Sequence, residues 1–318
     1  MKPFYLAPLQ GLTDTVFRTV ITRHYPVITK TFTPFFSADN PNMAKEKNYT
    51  RLLSDGPLHL VPQLLSKDGA RLARLVDLFE NLGFNECNLN LGCPFPTVTG
   101  KGRGSALLQY PATIDRILDT YYSRSRTALS LKVRLGFRDP DEIFECVSVL
   151  NRYPLRELIV HPRTAHQKYE GQLDNDRFAR LSGMTHHPLV YNGEITSCAR
   201  YRTCIDTFPD ISAVMIGRGV LYNLLLPEEI VRGGDIPLSE KMKREKEIFS
   251  ELFDSYGRIL CGEAQFLQKM KNLCSYLILP APSYKRKYKM LFKTHSKDVF
   301  YSTALELIDE KNLSDSSS

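Results

Sequence analysis

Short apolar runs alternate with stretches of helical periodicity along the first two thirds of the chain. The runs fall at 4–6, 27–32, 59–64, 86–91, 128–134, 157–161, 189–192 and 213–217. Between them, segments such as 68–82, 113–122, 141–151 and 198–208 space apolar residues three and four apart, as one buried face of an α-helix requires. Eight strands alternating with helices predict an α/β fold, a (β/α)8 TIM barrel, since a doubly wound sheet more often stops at about five or six strands. After Gly233-Gly234-Asp235-Ile236-Pro237 the strand pattern ends. Helical patterning alone continues through 239–256, 263–277, 285–293 and 299–311. The expected organisation is a barrel over 1–236, a small all-helical domain over 237–313 and a disordered serine-rich tail over 314–318.

Composition changes this picture little. The chain has 318 residues, 42% hydrophobic and 24% charged, an ordinary globular balance. No run approaches the ~18 apolar residues of a membrane helix. Met1-Lys2-Pro3-Phe4 leads directly into a strand pattern without the apolar core of a signal peptide, so a cytoplasmic location is expected. The seven cysteines are scattered and form no CxxC pair, which argues against a zinc ribbon or a disulfide framework; no metal is expected. No interface signature stands out, and a monomer is expected. The net charge of +7 by itself only hints at a polyanionic partner.

The exits of the strands carry the chemistry. In a parallel barrel these ends meet on one face. They bring Pro8, Leu9 and Gln10, then Gln63, Asn90 and Cys93, Lys132 and Arg134, His161 and Arg163, Asn192-Gly193-Glu194, and Gly217-Arg218. Each has a plainer reading. A lysine such as Lys132 is often a solvated edge position, but strand alternation here turns it inward, where an ammonium needs an anion. His161 alone fits a hydrogen-bonded core histidine; Arg163 two residues on favours function. Asn192-Gly193 alone is a turn, and Gly217-Arg218-Gly219 alone is weak. At the seventh and eighth strand ends together they suit a phosphate site. Cys93, locked before Pro94, is a candidate acid or nucleophile. With no basic residue in 90–96, a protonated thiol is favoured.

A second feature lies in the helical part. From 264 to 297 there is no acidic residue. The window holds Lys269, Lys271, Lys285, Arg286, Lys287, Lys289, Lys293 and Lys297, interleaved with Tyr276, Tyr284, Tyr288 and Phe292. A solvated helix face usually mixes both signs, so RNA backbone binding is the expectation.

Six collinear segments resemble the tRNA-dihydrouridine synthase family: Ala7 to Asp14, Asn90-Leu91-Gly92-Cys93-Pro94, Lys132-Val133-Arg134-Leu135-Gly136, His161-Pro162-Arg163-Thr164, Asn192-Gly193-Glu194 and Met215-Ile216-Gly217-Arg218-Gly219. The resemblance implies reduction of the 5,6 double bond of a tRNA D-loop uridine, with FMN as cofactor and NADPH as reductant. It implies that Pro8, Leu9 and Gln10 line the flavin ring, that Gln63 and Lys132 meet its pyrimidine edge, and that His161 lies nearby. Asn192, Gly193, Glu194, Gly217 and Arg218 would hold the ribityl phosphate. Cys93 would give the proton to the uracil ring, with Asn90, Arg134, Arg163 and Tyr169 around the base. Lys101, Arg103, Lys285, Arg286 and Lys287 would contact RNA. Leu9 stands where the family commonly has Met, and Pro162 where it commonly has Gly; neither removes a chemical group. Two other readings compete. A free-pyrimidine enzyme of the dihydroorotate dehydrogenase kind leaves the acid-free basic window unexplained. A non-catalytic tRNA-binding barrel does not require Cys93, Lys132 and Arg218 together.

Overall fold

The computed structural model describes residues 1–40 and 59–315. Its contacts divide the chain into two units. One comprises Met1–Gln10, Thr29–Glu194 and Cys204–Ile216; the other comprises Gly11–Ile28, Ile195–Thr203 and Gly217–Ser318.

The first unit is built on ten parallel-paired strands: β1 (Phe4–Leu6), β2 (Ile28–Phe32), β3 (Phe36–Ser37), β4 (His59–Val61), β5 (Gln63–Leu65), β6 (Glu86–Leu91), β7 (Ala128–Gly136), β8 (Leu158–Thr164), β9 (Leu189–Tyr191) and β10 (Ala213–Ile216). They run in the order β3-β5-β6-β7-β8-β9-β10-β1-β2-β4. The end pieces β4 and β5 are one extended segment with only Pro62 between them. The sheet therefore closes on itself. Ten pieces make the eight staves of a TIM barrel, with β2–β3 and β4–β5 each a single interrupted stave. Pro62 has no N–H to give to the ladder. The next amide, that of Gln63, bonds to the Thr33 hydroxyl at 2.9 Å instead of to a strand carbonyl.

Alternation along the staves fills the interior. Ala7, Phe32, Val61, Ile159, Val190, Ala213 and Met215 pack across its middle. Near the strand starts, Lys30 lies between Glu86 at 2.9 Å and Glu157 at 3.0 Å, and the Tyr5 hydroxyl donates to Glu157 at 3.0 Å. This ionic plug occupies the end where barrels keep stability, leaving the C-terminal ends for chemistry. On the outside, the helix Gly69–Asn81 buries Leu72, Ala73, Leu75, Val76 and Phe79, and the Asp68 carboxylate caps it from the Arg71 amide at 2.9 Å.

β8 runs three residues beyond its sequence-predicted end. Arg134 pairs with His161 and Gly136 with Thr164, so two steps on β7 face three on β8. Pro162 sits in that bulge, where no ladder N–H is required. The bulge is what places both His161 and Arg163 at the barrel mouth.

The second unit is helical. It contains Thr15–His24, Arg218–Tyr222, Leu226–Arg232, Leu238–Ile259, Glu263–Leu277, Lys285–Lys293 and Lys297–Asp315. Phe249, Leu252, Tyr256, Phe266, Met270, Phe300 and Leu307 form its apolar interior. Glu245 is fully buried, held by Lys311 at 2.8 Å and Asn312 at 2.7 Å. Asp14 accepts from Tyr256 at 2.7 Å, pairs with Lys269 at 2.6 Å and caps Thr15–His24. The boundary drawn at 236 from the sequence thus falls inside this unit, which also takes in 11–28. Residues 314 and 315 continue the last helix rather than a loose tail; 316–318 lie outside the described residues. No helix among the described residues is long and apolar enough to cross a membrane.

Candidate active site

The centre of the barrel mouth is a row of inward side chains on neighbouring staves. On β6, Asn88 and Asn90 point in while Cys87, Leu89 and Leu91 point out and pack against the helices. Pairing sets Asn90 beside Lys132 on β7 and Arg134 beside His161 on β8.

Asn90 shapes the loop that follows its strand. Its side-chain oxygen accepts from the amides of Gly92 at 3.0 Å and Cys93 at 2.8 Å, while its nitrogen donates to Gln63 at 2.8 Å. Cys93 is thereby fixed at the strand exit, packed against Leu65 and Val98. Its carbonyl accepts from the Ser105 hydroxyl at 2.8 Å. Burial pushes the Cys93 thiol up; the Phe95 amide, Arg134 and Lys132 pull the other way without reversing it. The side chain is thus a protonated thiol at neutral pH, suited to giving a proton.

Lys132 is the most perturbed group in the mouth. Burial and the neighbouring Arg134 bring its ammonium down to about 7, against a smaller opposing pull from Cys93. Among the described residues it makes no hydrogen bond or ion pair. Arg134 is different: it donates to the carbonyls of Gly92 at 3.0 Å, Thr164 at 2.8 Å and Lys168 at 2.7 Å, and lies over the Tyr169 ring at 5.5 Å. Arg163 is spent in the same way, on the Gly171 carbonyl at 2.5 Å and on Glu194 at 3.1 Å. Both arginines brace the segment 164–171. Tyr169 from that segment stacks 6.2 Å from His161.

The remaining sequence-predicted residues divide. Pro8 and Leu9 are half-buried and Gln10 is exposed just past β1. Asn192 is tied to the Met215 carbonyl at 2.8 Å. Gly193 has no room for a side chain, because a Cβ would lie 2.3 Å from the Tyr191 ring. Gly217 and Arg218 belong to the second unit, at the start of its five-residue helix. Lys101 is exposed. Arg103 is not: it is 7% exposed and bonded to Ser37 at 2.7 Å and Asp39 at 2.9 Å. Both bonds use Nη1 and anchor its loop, while its buried Nε has no hydrogen-bond partner among the described residues. Lys287 likewise pairs with Glu306 at 2.8 Å and Glu310 at 2.5 Å, and Lys269 with Asp14. Lys285, Arg286, Lys289 and Lys293 stay exposed on the helix Lys285–Lys293.

Gly104 brings the glycine-rich loop close to Cys93. Its φ of +60° is left-handed, and a Cβ there would lie 2.9 Å from the Cys93 carbonyl and from Val98. Gly104→Ala is expected to cost about 1–3 kcal/mol in urea unfolding and to slow turnover by shifting Cys93; an unchanged unfolding midpoint would remove the close approach from the account.

Comparison with known proteins follows the same lines. The dihydrouridine synthase (Dus) family model matches residues 5–311. The tRNA-dihydrouridine synthase B of Pasteurella multocida is 28% identical over 263 residues, covering 80% of this chain and 78% of that one. A probable tRNA-dihydrouridine synthase of Helicobacter pylori is 30% identical over 284 residues, covering 86% and 83%. Among solved structures, morphinone reductase in complex with tetrahydroNAD superposes with a TM-score of 0.54 at 11% identity, over 74% of this chain and 88% of that one; at that identity the likeness is one of fold.

Proposed function

Because the chain belongs to the dihydrouridine synthase family, we propose that it reduces a D-loop uridine of tRNA to dihydrouridine, with FMN as bound cofactor and NADPH as electron donor. The observation that carries the reading is the pair at the barrel mouth: a buried thiol held protonated beside an ammonium lowered to about 7 and left without an anionic partner among the described residues. An orphaned cation of this kind fits the electron-rich pyrimidine edge of a flavin. Gln63, hydrogen-bonded on both its amide atoms, would present a fixed donor and acceptor to that edge, and His161 would lie beside it. The bound flavin supplies a hydride to C6 of the uracil ring, which no side chain can do.

The chain's own residues supply the rest. Cys93 gives its proton to C5, so that hydride and proton together add two hydrogens across the double bond. The thiolate left behind lies in the positive field of Arg134 and Lys132 and recovers its proton from water. Asn90 keeps the thiol at the strand exit, and Tyr169, held by His161 and Arg134, would set an aromatic ring beside a base taken out of its stack. The exposed cations Lys285, Arg286, Lys289 and Lys293 favour an RNA over a free pyrimidine. Replacing Lys285, Lys289 and Lys293 with alanine is expected to weaken tRNA binding and flatten its log–log salt dependence by about two units. An unchanged slope would remove that helix from the contact.

The deciding experiment is a mass map of unmodified tRNA after incubation with the protein, FMN and NADPH. A gain of two hydrogens at a D-loop uridine is expected. NADPH oxidation without any gain in the RNA would overturn the proposal.

A further inference from the structure

Behind Asn90 the barrel interior holds a run of side-chain amides with a single sense. The Asn90 nitrogen donates to the Gln63 oxygen at 2.8 Å. The Gln63 nitrogen donates to the Asn88 oxygen at 2.8 Å. The Asn88 nitrogen donates to the Ser130 hydroxyl at 3.0 Å, and that hydroxyl donates to the Cys87 carbonyl at 3.4 Å. Asn88 and Ser130 are fully buried, and Gln63 is 1% exposed.

The sense of this run is fixed from both ends. At one end the Gly92 and Cys93 amides are donors only, so the Asn90 oxygen must face them. At the other end the Cys87 carbonyl is an acceptor only, so the Ser130 proton must face it. No amide between can flip without leaving two donors or two acceptors opposed in a dry interior, where an unmade hydrogen bond is most costly. We infer that Asn88 and Ser130 are positioning residues for the proton-donating loop, acting through Gln63 and Asn90 to hold Cys93 at the strand exit. Neither touches Cys93. They set which atom of each amide faces the mouth, and through Asn90 they hold the backbone that carries the thiol. The inference rests on the proposed role of Cys93 as proton donor.

The test is Asn88→Leu, close in shape but unable to accept from Gln63. In the FMN-loaded enzyme, alkylation of Cys93 by iodoacetamide is followed by peptide mass between about pH 7 and 9. The loosened loop is expected to expose the thiol and raise its alkylation about tenfold, the effect of one unmade buried hydrogen bond. At saturating tRNA, kcat should fall by about the same factor with KM unchanged. Asn88→Asp should keep wild-type alkylation, because burial holds its carboxyl protonated, so that one oxygen accepts from Gln63 while the other donates to Ser130. Should the Leu variant not fold, Ser130→Ala reads the same run from its far end, with an expected rise of about threefold. Wild-type alkylation in whichever variant folds would overturn the inference. A wild-type protein that leaves tRNA unreduced would sink the reductase reading instead, and the alkylation result would stand apart from it.

Discussion

Replacing Cys93 with alanine is expected to lower the rate of uridine reduction by a factor of about 10²–10⁴, the usual contribution of a positioned general acid. On the proposed mechanism, flavin retention and the first hydride transfer from NADPH should be untouched, because the thiol would serve only the proton. The pH dependence follows from burial. A thiol whose pKa is raised keeps its proton through neutral pH, so the acid is present below the raised value and lost only as pH climbs through it. In a Lys132→Met background, where the ammonium at about 7 no longer titrates, the rate should therefore be flat through the range where an ordinary thiol at ~8.5 begins to ionise, and fall above it. A rate that already declines between about pH 7 and 8 would contradict a buried acid. Single-turnover mixing of the reduced enzyme with tRNA measures this without interference from cofactor reduction.

Replacing Lys132 with methionine should move two properties in opposite directions. The ammonium lies at about 7 in the folded protein against 10.5 when free. Below about 7 both states are protonated, and the folded protein bears the cost of a partly desolvated charge. Between about 7 and 10.5 the unfolded chain holds the proton and the folded one releases it, so stability rises with pH. Above 10.5 both are neutral and the cost is gone. The cofactor-free methionine variant should thus be more stable than the wild type at about pH 6, by a few kcal/mol, with the gap closing towards alkaline pH. Flavin affinity should fall roughly tenfold to a hundredfold, the worth of a charged hydrogen bond. Thermal melts of the cofactor-free proteins at acid and alkaline pH, with a flavin titration beside them, read both. A variant less stable than the wild type at acid pH would show that the ammonium has its counter-charge within the fold.

The barrel and its mouth were legible because their signals are local. Period-two patterning turned Lys132 inward, and the parallel arrangement gathered it with the strand exits at Asn90 and His161. What escaped depends on partners far along the chain. The ties of Arg103 to Ser37 and Asp39, more than sixty positions earlier, could not be read from its own loop. Lys269 and Lys287 sit in an acid-free window, yet Asp14, Glu306 and Glu310 neutralise them from outside it. Asn88 and Ser130 obey the same inward alternation as Asn90, but a buried amide reads as function only when its neighbours across the staves are known. The end of β8 was placed too early because a proline normally stops a ladder; the bulge opposite Arg134 and Gly136 is what lets the strand continue through it.

The bonds from Asp14 to Tyr256 and Lys269, with those from Arg23 and His24 to Glu251, bear on how such proteins can be recombined. The helical part is not a cassette that begins after the barrel. It takes its first helix from the connection between the first two staves. A chimera that exchanged only the segment after 236 with a relative would pair one parent's 11–28 with the other parent's long helices. These contacts would then depend on whether two lineages happened to keep the same residues. A working exchange has to carry both pieces of chain together, and natural shuffling of this part between barrels meets the same barrier.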